Sequence, residues 1–130
     1  MDPQQGELYW VDIPKDQTEG SEQSGRRPFV VMSRDGVNRR LKTVVVVPLT
    51  TYSDQINRAA LASEPPYRIV IPPSEITKDP NCSSQISLSV AKTDQARVID
   101  KSRLKQRIGR LSQTAVISVG VGLAFVFDIR

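Results

Sequence analysis

The chain has no histidine and a single cysteine. Without imidazole, the usual general base and metal-ligating side chain is missing, so no zinc or other transition-metal cluster and no cofactor are expected. One cysteine excludes an internal disulfide. Cys82 sits in a Pro-Asn-Cys-Ser turn with no histidine anywhere to activate it, which argues against a catalytic thiol. Aromatics make up only 5% of the residues, too few for a broad base-stacking platform of the kind single-strand-binding sheets use. The longest apolar-rich run, Ala115 to Phe127, is too short and too broken by glycine to span a bilayer, and no charged leader precedes an apolar stretch at the N-terminus. A cytoplasmic location is the expectation. Chemistry is left to Arg, Lys, Glu, Asp, Thr and Ser.

What is present fits one domain over residues 1–130, with residues 1–5 a short polar tail. Apolar residues at 38% and charged residues at 25% are ordinary for a globular chain. The charge distribution says more than the net charge of +4. The first 23 residues hold six acids against one lysine. Arg26 to Lys42 holds six basic residues against Asp35, and Lys92 to Arg110 holds seven against two acids. Two basic blocks that a compact fold can bring together point to a polyanion partner, and a solvated positive face is the plain alternative.

Along the chain, short β-type segments alternate with turns. Gly6 to Ile13 alternates Leu8, Trp10 and Asp12 against Glu7, Tyr9 and Val11, as a half-buried strand does, with Trp10 as core or dimer-interface filling and nucleotide stacking as the lesser alternative. Lys15 to Gly25 is a polar loop. Arg27 to Ser33 reads as a second strand and Asp35 to Arg40 as an Asp-Gly turn. Thr43 to Thr51 carries four consecutive valines, which implies a strand buried on both faces, and Pro48 is expected to stop its ladder pairing just before Thr50. Tyr52 to Pro66 reads as a loop, Arg68 to Pro72 as a short strand, and Pro73 to Ser84 as exposed turns. Ile86 to Lys92 and Gln95 to Ile99 read as strands around a tight connection. Asp100 can cap a short helix Lys101 to Arg107. Ser112 is a good N-cap, yet Ile117, Val119, Val121, Leu123, Phe125 and Phe127 alternate as a strand would. Gly120 and Gly122 each weaken a helix by about 1 kcal/mol relative to alanine.

The most informative stretch is Gly20-Ser21-Glu22-Gln23-Ser24-Gly25-Arg26-Arg27-Pro28, running into Phe29-Val30-Val31-Met32. A loop carrying a carboxylate, an amide and a hydroxyl is closed by two guanidiniums at a strand entry, the kind of junction on which sites are built. This stretch resembles the signature of the MazF/PemK family of toxins from bacterial toxin–antitoxin pairs. The likeness continues in Gly6 to Asp12, in Val44-Val45-Val46-Val47-Pro48-Leu49-Thr50, in Ser89 to Leu104 and in Arg107 to Ser112, covering roughly residues 6 to 125. The resemblance implies a mainly β fold, a small SH3-like barrel with a C-terminal helix in place of the alternative strand.

It also implies an activity. Cutting RNA without a metal requires the ribose 2′-hydroxyl to attack phosphorus, a base to take its proton, an acid for the departing 5′-oxygen, and positive charge to hold the phosphorane. In the family, the arginine before this proline and the threonine closing the third strand are held to be catalytic, which implies Arg27 and Thr50. Glu22 is a candidate proton acceptor. Ser21, Gln23, Arg26, Lys92, Asp94 and Gln95 are candidate substrate contacts. Lys92 stands where the PemK/Kid branch has an arginine and lacks its fork, and Arg26 stands where some relatives have histidine. The implied protein is a sequence-specific endoribonuclease acting on single-stranded RNA, leaving 2′,3′-cyclic phosphate and 5′-hydroxyl ends. It would be a homodimer neutralised by an antitoxin with an acidic C-terminal segment. The alternative is a non-catalytic RNA-binding module or a gyrase poison similar to CcdB. The poison relies on a C-terminal tryptophan, whereas the one tryptophan here is Trp10.

Overall fold

A computed structural model of the chain describes residues 2–14, 25–51, 65–83 and 85–129. Over these residues the architecture is mainly β with a C-terminal helix, as expected. The elements are β1 Glu7–Ile13, β2 Gly25–Val31, a short helix α1 Asp35–Arg40, β3 Thr43–Thr51, β4 Arg68–Ile71, β5 Ile76–Lys78, β6 Ser89–Lys92, β7 Arg97–Asp100, β8 Leu104–Leu111 and α2 Gln113–Val126. The strands pair antiparallel in the order β4-β6-β3-β2-β1-β8-β5, and β7 also pairs with β3.

The valine run dictates the shape. A strand sends alternate side chains to opposite faces, so one that is apolar at every position serves two cores. Val44 and Val46 of β3 join Val11, Ile13, Phe29, Val31 and Ile99 on one face. Val47 and Leu49 join Leu8, Val30, Ile71 and Ile108 on the other, under Ala115, Val116 and Val119 of α2. No helix contributes to the first core among the described residues, yet its members are at most 4% exposed. Only curling of β7, β3, β2, β1 and β8 around them can account for that, with the 3-10 turn Lys101–Arg103 linking β7 to β8. This is the small, strongly bent half-barrel sheet expected from the sequence. β1 is accordingly covered on both faces rather than half-buried, with Leu8 in one core and Val11 and Ile13 in the other.

Pro48 behaves otherwise than expected. β3 runs unbroken to Thr51, and Pro48 pairs with Phe29. Met32 N donates to Val45 O at 2.9 Å, so by alternation the peptide groups of Val47 face β2 and the nitrogen of Pro48 faces the other edge. There β6 pairs with Leu49 to Thr51, β7 pairs with Thr43 to Val46, and the 3-10 turn Thr93–Gln95 separates them. The missing N–H therefore falls where no ladder bond exists to be lost.

Other expectations are corrected. Asp35 to Arg40 is a helix, not a turn, and buried Asn38 ties it down by donating to Pro3 O and Ser33 O. The N-terminal tail is packed: Pro3 is buried, and Gln5 donates to Met32 O and Asp35 Oδ1. Within Pro73 to Ser84, residues 76–78 form β5 on β8, and Cys82 lies in the core. Asp100 does cap, accepting from Ser102 N at 2.8 Å, but the helix is one 3-10 turn before β8 takes over. β6 and β7 are both laid along β3. α2 is a helix capped by Ser112, whose hydroxyl accepts from Ala115 N; it is too short to cross a membrane, as is every helix of the described residues. Its strand-like pattern arises because both sides are apolar: Ala115, Val116 and Val119 are buried while Ile117, Val121 and Phe125 are exposed. Gly122 is there because Thr93 and Ile69 side chains leave no room for a Cβ. The stretches 15–24 and 52–64 lie outside the described residues.

Two further constraints tie the barrel together. Buried Glu7 accepts from Tyr9 Oη at 3.0 Å and pairs with Arg107 at 2.9 Å. Burial first, then Glu7, pushes the Tyr9 phenol up to about 12. At Gly109 a methyl group would overlap the carbonyl oxygen of Thr77 and meet Lys78 Cα at 2.9 Å, because β5 crosses directly over it. Gly109→Ala is expected to cost about 2–3 kcal/mol, measured as a lower denaturant midpoint at unchanged slope. A variant as stable as the parent would mean that β5 does not lie on β8 in solution.

Candidate nucleic-acid interface

The site is built at the open end of the β2–β3 ladder. Gly25 takes φ +81° with open space around it, a left-handed turn that admits the chain into β2. Arg26 and Arg27 follow, both exposed, then half-buried Pro28 and buried Phe29. Arg27 lies opposite Val11 in the β1 ladder and shares a face with Phe29. From the last ladder pair, Phe29–Pro48, two steps along β2 reach Arg27 and two along β3 reach Thr50, so alternation puts both on that same face. The Thr50 hydroxyl oxygen is buried and has no hydrogen-bond partner among the described residues. Leaving a buried hydroxyl unsatisfied costs about 1–3 kcal/mol, and a guanidinium on the next strand makes a phosphate oxygen the natural partner.

The row continues across the smaller ladder. Thr50 pairs with Val90 of β6, so Lys92 is its diagonal neighbour on the same face. Lys92 in turn pairs with Arg68 of β4. Arg27, Thr50, Lys92 and Arg68 thus share one face across four adjacent strands, and Arg68 was not among the residues picked from sequence. Its signal was available only through register, since nothing near position 68 marks it as more than a strand start.

Arg68 also fixes Asp94. Its Nε and Nη2 meet the two carboxylate oxygens at 2.7 and 2.9 Å, a fork-on-carboxylate pair. That contact holds the Asp94 carboxyl below its ordinary range. Gln95, next along the 3-10 turn, has a buried side-chain oxygen without a partner among the described residues. Arg26 points to the opposite face, its guanidinium 5.4 Å from the Trp10 ring centroid. Of the sequence-based candidates, the structure brings together Arg27, Thr50 and Lys92, sets Asp94 and Gln95 beside them, and turns Arg26 away. Ser21, Glu22 and Gln23 lie outside the described residues.

The Arg68 pair makes a pH-dependent claim. A depressed folded-state value means the pair stabilises the fold above 3.8, Asp94's ordinary value, and that this contribution is lost as pH falls through the depressed value. Carboxyl-carbon NMR titration is expected to place Asp94 below 3.8 in the parent and return it toward 3.8 in Arg68→Ala. A parent midpoint at or above 3.8 would show that the pair is not made in solution.

Known proteins resemble the chain along most of its length. A family model described as PemK-like, MazF-like toxin of type II toxin–antitoxin system matches residues 4–127. Endoribonuclease MazF of Staphylococcus epidermidis is 32% identical over 114 residues, 88% of this chain and 82% of the relative. Among solved structures, MazF from Deinococcus radiodurans superposes with a TM-score of 0.71 at 21% identity, covering 98% of both chains. A mycobacterial endoribonuclease in complex with its cognate antitoxin superposes at 0.66 and 19% identity, covering 98% of this chain and 97% of that one.

Proposed function

The chain belongs to the PemK-like, MazF-like toxin family of type II toxin–antitoxin systems, and on that premise we propose that it is a metal-independent endoribonuclease that cuts single-stranded RNA in the cytoplasm. The observation that carries the reading is the buried Thr50 hydroxyl, without a partner among the described residues, on the same face as Arg27.

The scissile phosphate lies between these two groups. Arg27 holds two non-bridging oxygens and strengthens its hold as charge builds on the phosphorane, while Thr50 donates its unused O–H to one of them. The ribose 2′-hydroxyl attacks in line, its proton passes to Glu22, and the P–O5′ bond breaks as the 5′-oxygen takes a proton from solvent water, giving 2′,3′-cyclic phosphate and 5′-hydroxyl ends. Asp94, kept ionised by Arg68, serves as an acceptor toward ribose or base rather than as the acid. Lys92 holds a flanking phosphate, Arg26 the chain beyond the cut, and Ser21, Gln23 and Gln95 contact bases or sugars.

An antitoxin with an acidic C-terminal segment would meet the same cations as a mimic of RNA. The exposed stripe Ile117, Val121 and Phe125 of α2, at helical i, i+4 spacing, is covered by a second copy of the chain in a homodimer. Phe125 already stacks on Tyr67 at 6.1 Å, which widens that apolar patch.

In excess EDTA the parent is expected to cut a long single-stranded RNA at discrete sites with cyclic-phosphate ends. Arg27→Ala lowers the rate by about 100- to 1,000-fold, and Thr50→Val lowers it by a smaller factor, both variants remaining folded. Cutting that needs metal would overturn the mechanism, and RNA binding without cutting would leave a binding module. Separately, Val121→Glu is expected to turn the dimer into a monomer in sedimentation at micromolar concentration. A variant still dimeric would place the interface elsewhere.

A further inference from the structure

The other face of the same strand end holds a second feature that the cleavage chemistry does not use. Residues 26 and 51 alternate with 27 and 50, so Arg26 and Thr51 lie on the face away from the scissile site, the face of Trp10 and Pro28. Beside Thr51 opens a cleft of 90 Å³ whose walls include the Trp10 indole and the Pro28 ring, with Ile86 behind. Polar groups at its rim are Thr51, Gln85 and Ser87, of which Thr51 and Gln85 are exposed. The Arg26 guanidinium caps the indole, and Asp12, its ladder partner in β1, offers opposite charge across the pair.

We propose that this cleft receives one unstacked nucleobase of the RNA, next to the cut, and sets part of the sequence preference. The inference rests on the RNA-cleavage reading. The Trp10 indole supplies aromatic stacking surface and the neighbouring Pro28 ring an apolar wall for a planar base. The Thr51 hydroxyl and the Gln85 amide provide both donors and acceptors for a base edge, a pattern an aliphatic peptide side chain could not use. Arg26, directly above, meets the phosphate attached to that base. Because Thr50 and Thr51 are consecutive, a chain whose phosphate is held at Thr50 passes over the strand end, and its neighbouring base drops onto the opposite face.

Trp10 is the one tryptophan of the protein, so its emission reports on this cleft alone. The parent protein is titrated with a random-sequence oligonucleotide pool whose ribose 2′-hydroxyls are replaced by hydrogen, which blocks cutting. Binding is followed by the anisotropy of an end label and by Trp10 emission together. Trp10 emission is expected to change in step with anisotropy, and Trp10→Ala to weaken binding roughly fivefold or more, as loss of a base-stacking ring does. Gln85→Ala, on the exposed rim and neutral for folding, is expected to cut a random-sequence RNA pool with altered preference at one position beside the cut and unchanged preference elsewhere. Bound oligonucleotide with unchanged Trp10 emission, or a Gln85→Ala cut profile identical to the parent's, overturns the cleft as a base site while leaving the nuclease intact. A parent that neither binds nor cuts RNA overturns the nuclease reading, and this one with it.

Discussion

A proline in the middle of a strand shared by two ladders decides how the rest of this molecule is arranged. Pro48 keeps its pairing with Phe29 on one edge and has no N–H to offer on the other. The chain opposite has already broken there into the 3-10 turn Thr93–Gln95, so no bond is forfeited. The break has a consequence for the site. Before it, β3 belongs to the barrel through β7; after it, β3 belongs to a small ladder with β6 and β4. Thr50 stands just past that change, where the face it shares with Arg27 is no longer the enclosed barrel interior. A hydroxyl can stay buried without a partner at such a position because the flanking ladder holds its backbone rigidly.

Charge is sorted by the same arrangement. The basic block from Lys92 to Arg110 does not form one continuous positive face. Lys101 pairs with Asp2 at 3.0 Å and Arg107 with buried Glu7 at 2.9 Å, so acids near the N-terminus are taken up by basic residues late in the chain. Exposed pairs such as Lys101 with Asp2 contribute little to stability. Their effect is on the field: cations of β2, β4 and β6 gather on one face, and Asp94 is the carboxylate bound among them. A polyanion therefore finds its charge complement concentrated at the strand end that also carries Thr50.

Much of this was legible in the sequence where local and global signals agreed. The four valines announced a strand with two buried faces, and the Gly25-Arg26-Arg27-Pro28 junction announced the entry to a strand. Failures came where an element is defined by a distant partner. Residues 76–78 form a strand only because β8 lies beside them, and a three-residue strand has no period to read. Lys101 to Arg107 looked helical from its cap and its basic side chains, but β1 claims residues 104 to 110 as a ladder partner, overriding propensity. Arg68 was missed for the same reason, since its place beside Lys92 and Asp94 exists only in register. α2 was ambiguous because a helix apolar on two sides has no polar stripe to betray its period.

The alternation of a strand gives the strongest physical constraint on how a substrate can sit. Adjacent residues cannot address the same face, so the doubled arginine at 26 and 27 cannot act as a single two-pronged clamp on one phosphate. The threonine pair at 50 and 51 obeys the same rule, so each face of this strand end carries one threonine and one arginine. The strand end thus carries the same two groups, a guanidinium and a hydroxyl, on both faces, but in different surroundings. On the barrel face they stand beside Lys92 and above a closed core. On the other they border an open cleft walled by Trp10 and Pro28. One environment suits a charged, tetrahedral group and the other a flat, apolar one, as are the phosphate and the base of a single nucleotide chain. A flexible single strand can satisfy both by bending around the edge, whereas a stacked duplex cannot present a phosphate to one face and an unpaired base to the other. On the proposed reading, a preference for single-stranded over paired RNA would follow from the alternation of two strands, with no residue needed to exclude the duplex.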